Sequence, residues 1–332
     1  MLPLTFQPLR DQLYTYDELF KGFVESRPDS YGETLDFRIF RQYVRSGRFA
    51  PTDYFVAMME AVHDNSIRGA TQDYLNLEPT KAAVAFMGGH DLSRKERVYA
   101  QVAHLSRKLA RAGYLPVSGG GPGAMEATHL GALHKNATVK SLDKALKRLG
   151  RVPNIPKNLN AMVAADGSVD QSLVRKAHEW ILPAYQIRRR IRNPGESLAL
   201  PTWLYGHEPT TVLATRIAKY FQNSIREDRL LSVATHGVIY VEGKAGTLQE
   251  IFQDAVINYY RVLDFFSPMI FLGRKQWTET FPVVQVLQKL FKPDDFKKFV
   301  CVTDEPDDVL RFLHTVRTKD TPSKRLIRAR TA

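Results

Sequence analysis

One cysteine, Cys301, is all that the 332 residues contain. No internal disulfide can form, and no thiolate-rich zinc site can be built. The nine histidines show no HExxH or related spacing; His129 and His134, five apart, fall on different faces of a helix. Neither a metal nor a cofactor is expected. No apolar run reaches the length that spans a bilayer, and the start, MLPLTFQPLRDQLYTYDELF, lacks a basic segment followed by an apolar one. The expectation is a soluble cytoplasmic protein with no membrane partner. A G-x-x-x-x-G-K-[ST] loop and a G-x-S-x-G elbow are also missing, which removes support for P-loop phosphoryl transfer and for serine hydrolysis. There is no repeat of fixed period.

What is present is an ordinary globular composition, 44% hydrophobic, with a strong basic excess of 47 Lys and Arg over 35 Asp and Glu. Between Lys135 and Arg192 thirteen basic residues face four acidic ones, a local net charge of +9. Such a segment could hold nucleic acid. Without interleaved aromatics it reads better as a solvated surface that draws small anions toward a nearby site, so a nucleic-acid partner is not expected. Arg188-Arg189-Arg190 is its densest part.

Residues 1–78 read as a helical N-terminal region without chemistry of its own; Tyr16, Leu19, Phe20 and Phe23 share one face, as do Phe37, Phe40, Tyr43 and Val44. From Ala82 the pattern becomes apolar strand, glycine turn, amphipathic helix, repeated. Strands are predicted at Ala82 to Met87, Leu115 to Ser118, Ser197 to Leu204, Val238 to Val241, Met269 to Leu272 and Phe299 to Thr303. Helices are predicted at Ser93 to Arg111, from Ala124, at Glu208 to Asn223, from Thr247, near Trp277 to Leu290 and near Pro306 to Val316. This alternation specifies an α/β fold with a Rossmann-like, doubly wound parallel sheet and helices on both faces, over 79–316. A basic, partly helical insertion at about 135–194 interrupts it, and a basic tail, 317–332, is expected to be disordered.

The chain is organised around Gly237 to Tyr260, where a buried strand enters a glycine turn that opens a helix. Leu248, Ile251, Phe252, Ala255, Val256 and Tyr259 give that helix an apolar face expected against the sheet. Its free N–H groups and the positive end of its dipole then form an anion site. Thr247-Leu248-Gln249-Glu250 has capping-box spacing, so Glu250 either caps its own helix or serves a positive charge developing on a bound phosphate ester. Gly119 to Ala124 fits G-x-G-x-x-A, a weak dinucleotide signal because it follows the second strand. Two glycine loops at strand ends could cradle one phosphate between them.

Ser118-Gly119-Gly120-Gly121-Pro122-Gly123-Ala124-Met125-Glu126-Ala127, followed by Gly243-Lys244-Ala245-Gly246-Thr247-Leu248-Gln249-Glu250, resembles the paired signatures of the LOG (lonely guy) family, GGG-x-x-G-x-M-[GE] and P-G-G-x-G-T-x-x-E. The similarity covers about Ala82 to Leu313. It implies a phosphoribohydrolase that cleaves the N-glycosidic bond of a nucleoside 5′-monophosphate to free base and ribose 5-phosphate, and a homodimer. Members of this family were long labelled lysine decarboxylases, yet no lysine here is identified as a holder of pyridoxal phosphate. By the same resemblance Glu250 is the essential glutamate. The essential arginine falls on Arg226 after a shift of one residue, with Arg229 as rival and a surface ion pair to Glu227 or Asp228 as the plainer role for Arg226. Gly119, Gly120, Gly121, Gly123, Met125, Glu126, Gly243, Lys244, Gly246 and Thr247 would line the substrate. Asp254 and His90 are secondary pocket candidates. Two positions depart from the family pattern, Glu242 for its proline and Lys244 for its second glycine. Lys244 could grip a phosphate, whereas Glu242 would repel one unless it turns away or pairs with Lys244. A nucleotide-binding sensor without hydrolysis is the alternative, and an RNA-associated protein a third.

Overall fold

The computed structural model describes residues 4–77, 81–263 and 266–320. The N-terminal region holds a short helix, α1 (Tyr16–Leu19), then α2 (Leu35–Arg45) and α3 (Tyr54–Asn76). Thr34 and Asp53 start α2 and α3 by accepting backbone N–H groups of their first turns. The strand β1 (Ala82–Met87), helix α4 (Arg97–Arg111), strand β2 (Tyr114–Ser118) and helix α5 (Ala124–Leu133) follow. The insertion adds α6 (Val139–Leu149) and α7 (Gln171–Arg190). After β3 (Leu198–Ala199) and β4 (Arg216–Ile217) come α8 (Asn223–Val233), β5 (Val238–Tyr240), α9 (Ala245–Tyr259), β6 (Met269–Leu272), α10 (Val283–Leu290), α11 (Pro293–Phe299), β7 (Val300–Thr303) and α12 (Pro306–Asp320).

Among the described residues the seven strands make one sheet in the order β4-β3-β2-β1-β5-β6-β7, and every neighbouring pair is parallel. Strands of such a sheet are covered on both faces, which is why β1, β2, β5 and β6 are continuous apolar runs, buried throughout. The winding reverses between β1 and β5. A crevice opens at the carboxyl ends of strands at such a reversal, and this is where the glycine loops lie.

The N-terminal region is part of the same core. Tyr14 exchanges backbone hydrogen bonds of 3.0 and 2.9 Å with Ile217 and so covers the open edge at β4. Phe221 packs between Trp203 (4.5 Å between ring centroids), Phe6 (4.6 Å) and His63 (5.0 Å). Asp64 of α3 accepts the N–H groups of Phe221 and Gln222 at 2.8 to 3.2 Å, capping the entry to α8 from another element. Among the described residues no helix is long and apolar enough to cross a membrane.

Several expectations are corrected. Residues 208–223 are not a helix: Thr210, Thr211, Val212, Thr215 and Ile217 are β-branched and follow Pro209, and the backbone bonds elsewhere. Thr211 donates to Gly120 O at 2.9 Å, Ala218 to Ala199 O at 2.8 Å and Tyr220 to Pro201 O at 3.0 Å. The strand expected from Ser197 to Leu204 shrinks to two residues, because Pro201 brings no N–H and Thr202 caps a helical turn over Trp203–Tyr205. Pro282 divides the helix expected near Trp277 to Leu290 into a π turn, Gln276–Thr280, and α10. The tail is helical through Asp320, and 321–332 lie outside the described residues. On α9 only part of the apolar surface meets the sheet. Ile251 and Ala255 are buried, whereas Phe252, Val256 and Tyr259 are 40%, 51% and 51% exposed.

Candidate active site

The carboxyl ends of β1, β2 and β5 carry Gly88-Gly89, Gly119 to Gly123 and Glu242 to Lys244, and these three loops interlock. Gly123 has φ +66°, and a Cβ there would meet the Gly89 carbonyl oxygen at 2.3 Å, so no other residue fits. Gly89 donates to Glu242 O at 2.9 Å, and Ala124 donates to Gly89 O at 3.2 Å. Beside the joined loops is a cleft of about 360 Å³ lined by Gly88, Gly89 and Lys244 of the first and third; Gly119 to Gly123 and Gly243 stand behind its lining. The start of α9 opens into it through Ala245, Gly246 and Thr247. Among the described residues no side chain caps this helix, so it offers bare N–H groups and a positive dipole end; α5 also lacks a side-chain cap, but its first N–H, that of Ala124, goes to Gly89 O.

Arg226 stands in the first turn of α8 with 9% of its surface exposed. Its Nε donates to Leu200 O at 2.9 Å, which fixes the guanidinium. A Cβ on Gly119 would lie 2.1 Å from Nη2, and Nη1 is 4.0 Å from Glu250 Oε1. Arg226 is therefore clamped between the first glycine loop and the glutamate of the second. Glu227 and Asp228 hold Gln249 and Gln253 instead, so Arg226 does not spend itself on a surface pair with them. Arg229 lies apart from the cleft. Its Nε and Nη2 are buried without a hydrogen-bond partner among the described residues, and burial lowers its pKa.

The helix begins at Ala245, three residues earlier than the capping box requires, and Glu250 falls in its second turn. Glu250 thus does not cap; it faces the cleft with 16% of its side chain exposed. Burial raises its pKa to about 7, Arg226 pulls it down and Glu227 pushes it up. A second carboxyl, Glu208, reaches over Gly121, whose Cβ would be 3.3 Å from its Oε2. Burial raises its pKa too, against His90 and Arg226. The sequence reading placed Glu208 at a helix start and so missed it; the Gly206 and Pro209 that flank it are the loop signal available. Tyr205, Asp91 and Glu227 also line the cleft and were missed as pocket residues.

Of the remaining candidates, Met125 lines the cleft, its Sδ and Cε 2.7 and 2.9 Å from where Cβ atoms on Gly119 and Gly121 would sit. Gly120, with φ +73°, packs on Ala199. Thr247 backs the second loop, its Oγ1 2.2 Å from a Cβ built on Gly243. Among the described residues nothing beyond its chain neighbours and its own helix backbone comes within 4 Å of a Cβ on Gly246, which lines the cleft. Lys244 lines the mouth and pairs with Asp91 at 2.7 Å; Glu242 is exposed and contributes only its backbone to the loop junction. His90, 61% exposed, sits 3.9 Å from Glu208. Two candidates point elsewhere. Glu126 is buried against Arg94 at 2.6 and 2.7 Å and accepts from Tyr99 at 2.8 Å. Through its other nitrogen, Arg94 donates to the Val152 and Trp180 carbonyls at 3.1 and 3.0 Å, tying the insertion to α5. Asp254 lies behind α9, where Tyr240 donates to it at 2.7 Å and burial raises its pKa to about 7.

Among the described residues no group of three or more His, Cys, Asp or Glu could hold a metal ion. No protein-family model matches the chain, and no curated protein matches it. The cleft combines a bare-backbone anion cradle, one fixed cation and two carboxyls whose pKa burial raises.

Proposed function

We propose that the chain is a nucleoside 5′-monophosphate nucleosidase, an N-glycosyl hydrolase acting in this cleft. The observation that carries the reading is Arg226 held between Gly119 and Glu250, beside a helix start that, among the described residues, no side chain caps. The phosphate would take the N–H groups of Gly246 and Thr247, leaving the ribose over Arg226 and Glu250. In the reaction the C1′–N bond breaks with its electron pair going to the base, water adds through oxygen at C1′, and the water's proton passes by way of a carboxylate to the departing base. The sugar becomes oxocarbenium-like on the way, and ionised Glu250 stabilises it or orients the water, a role that contributes on the order of 10² to 10⁴ in rate. Arg226 keeps that carboxylate ionised and binds the sugar phosphate. Glu208, which lines the same cleft, would handle the proton on the base side.

A sensor that binds without hydrolysis is the second reading, favoured by the Lys244–Asp91 pair across the mouth. The exposed stripe of Phe252, Val256 and Tyr259 on α9 suits burial against a second copy of the chain. The test is product identity from AMP, GMP, CMP and UMP. Nucleosidase action releases free base and ribose 5-phosphate with no inorganic phosphate. Nucleotide binding without any product favours the sensor.

A further inference from the structure

The basic insertion carries a second concavity, about 480 Å³, between α6 and α7. Lys144, Lys147 and Arg148 of α6, Arg151 just beyond it and Arg190 at the end of α7 all line it, and no carboxylate does. The acidic residues nearby are engaged elsewhere. Asp143 pairs with His104 at 3.1 Å, and Glu25 takes Arg189 at 3.1 Å and Gln186 at 2.8 Å. Arg148 donates to Gln186. Lys144, Lys147, Arg151 and Arg190 have no ion pair among the described residues. Ile187, Ile191 and Ala145 supply an apolar floor.

The shape follows from the sequence. Ser141, Lys144, Ala145 and Arg148 recur at i, i+3, i+4 and i+7, so one face of α6 turns its cations toward α7 while Leu142 and Leu149 are buried on the other. Burial and the repulsion of Arg190 and Arg151 lower the pKa of Arg148, and the weaker pull of Glu25 does not offset them. Like charges held converging on two helices are destabilising until an anion joins them. A single phosphate satisfies two such groups, whereas five suit a chain of phosphates, with the arginine forks taking oxygens in pairs. Among the described residues no Phe, Tyr or Trp lines the concavity; His134 does, but it is buried with its Nδ1 2.8 Å from Leu130 O, so no ring is offered for a base to stack on.

We propose that the groove between α6 and α7 binds a small polyphosphate anion, either inorganic or the phosphate tail of a nucleotide, at a site separate from the catalytic cleft.

The experiment is titration calorimetry of the full chain with inorganic tripolyphosphate at about 0.1 M salt, where charges beyond ~10 Å are screened and only converging cations count. One site per chain is expected. Its Kd should rise at least tenfold in Lys144→Ala/Arg190→Ala, both exposed positions, and stay within twofold in Arg226→Ala, which disables the cleft. Arg151→Glu at the rim gives an independent second variant. Comparing ATP with tripolyphosphate separates the two sources: equal affinity means that only phosphates are read, and tighter ATP binding lost in the same variants means a nucleotide tail. The proposal is overturned by absence of binding, by binding that survives both groove variants, or by loss in Arg226→Ala. It is also overturned if a 20-nucleotide RNA binds over a hundredfold more tightly than tripolyphosphate through the same residues, which makes the surface a nucleic-acid one.

Discussion

Gly246→Ala separates what this glycine does for the fold from what it does for a ligand, because the two effects have opposite signs. Gly246 is in the first turn of α9, its φ is not in the left-handed region, and among the described residues a methyl there meets nothing within 4 Å beyond its chain neighbours and its own helix backbone. Replacing glycine in a helix removes freedom from the unfolded chain and stabilises by about 0.4 to 1 kcal/mol. In a chain of this length that is a rise in Tm of about 0.5 to 1.5 °C. If a phosphate oxygen approaches the Gly246 N–H, the methyl occupies its path and a charge-assisted hydrogen bond of about 1.5 to 3 kcal/mol is lost. That raises KM for AMP about 10- to 100-fold, with kcat changed much less. Thermal unfolding and steady-state kinetics on the same preparation read both numbers. An unchanged KM would show that no ligand uses this helix start, and a Tm several degrees lower would refute the reading of open space.

Glu250→Gln, Asp254→Asn and the parent should differ in their stability against pH. Their carboxyls, and that of Glu60 at about 8, have pKa values above those of the unfolded chain, so the folded state holds extra protons and stability falls as pH rises from about 5 to 8. Each of Glu250 and Asp254 accounts for a loss on the order of 3 kcal/mol, and each variant should flatten the urea-unfolding profile over that window while matching the parent near pH 4. Arg226→Lys should lower kcat/KM at least about a hundredfold, since one ammonium cannot hold Leu200 O and face Glu250 together, whereas Arg229→Met leaves it within about threefold; equal losses would return the role to Arg229. Arg94→Met strands buried Glu126 and should cost about 3 to 5 kcal/mol in urea unfolding; a loss under 1 kcal/mol refutes that pair as the tie between insertion and α5. Phe252→Glu/Val256→Glu should convert a dimer to monomer by light scattering; an unchanged mass places any interface elsewhere.

The sheet was legible where strands are apolar runs closed by glycine: Ala82 to Met87 and Met269 to Leu272 agree to the residue with β1 and β6. The edge strands were not. Leu198–Ala199 and Arg216–Ile217 are two residues each, and their neighbours bond to loops, leaving no period to read. The same limit hid Glu208, whose place over Gly121 depends on that irregular chain. Glu126 shows another. Beside Met125 in the motif it looked like a pocket residue, but one step along a helix turns a side chain by about 100°, here into Arg94. On α9, periodicity marked Phe252 and Val256 as apolar without saying whether sheet or partner covers them.

The central claim is that Glu250, beside Arg226, acts on a nucleotide's glycosidic bond. Its most direct test is Glu250→Gln, measured for AMP binding by calorimetry and for base release by chromatography at pH 8, where the parent carboxylate is ionised. The account predicts Kd within about threefold of the parent and base release lower by at least about 10³. Base release within tenfold of the parent would contradict it.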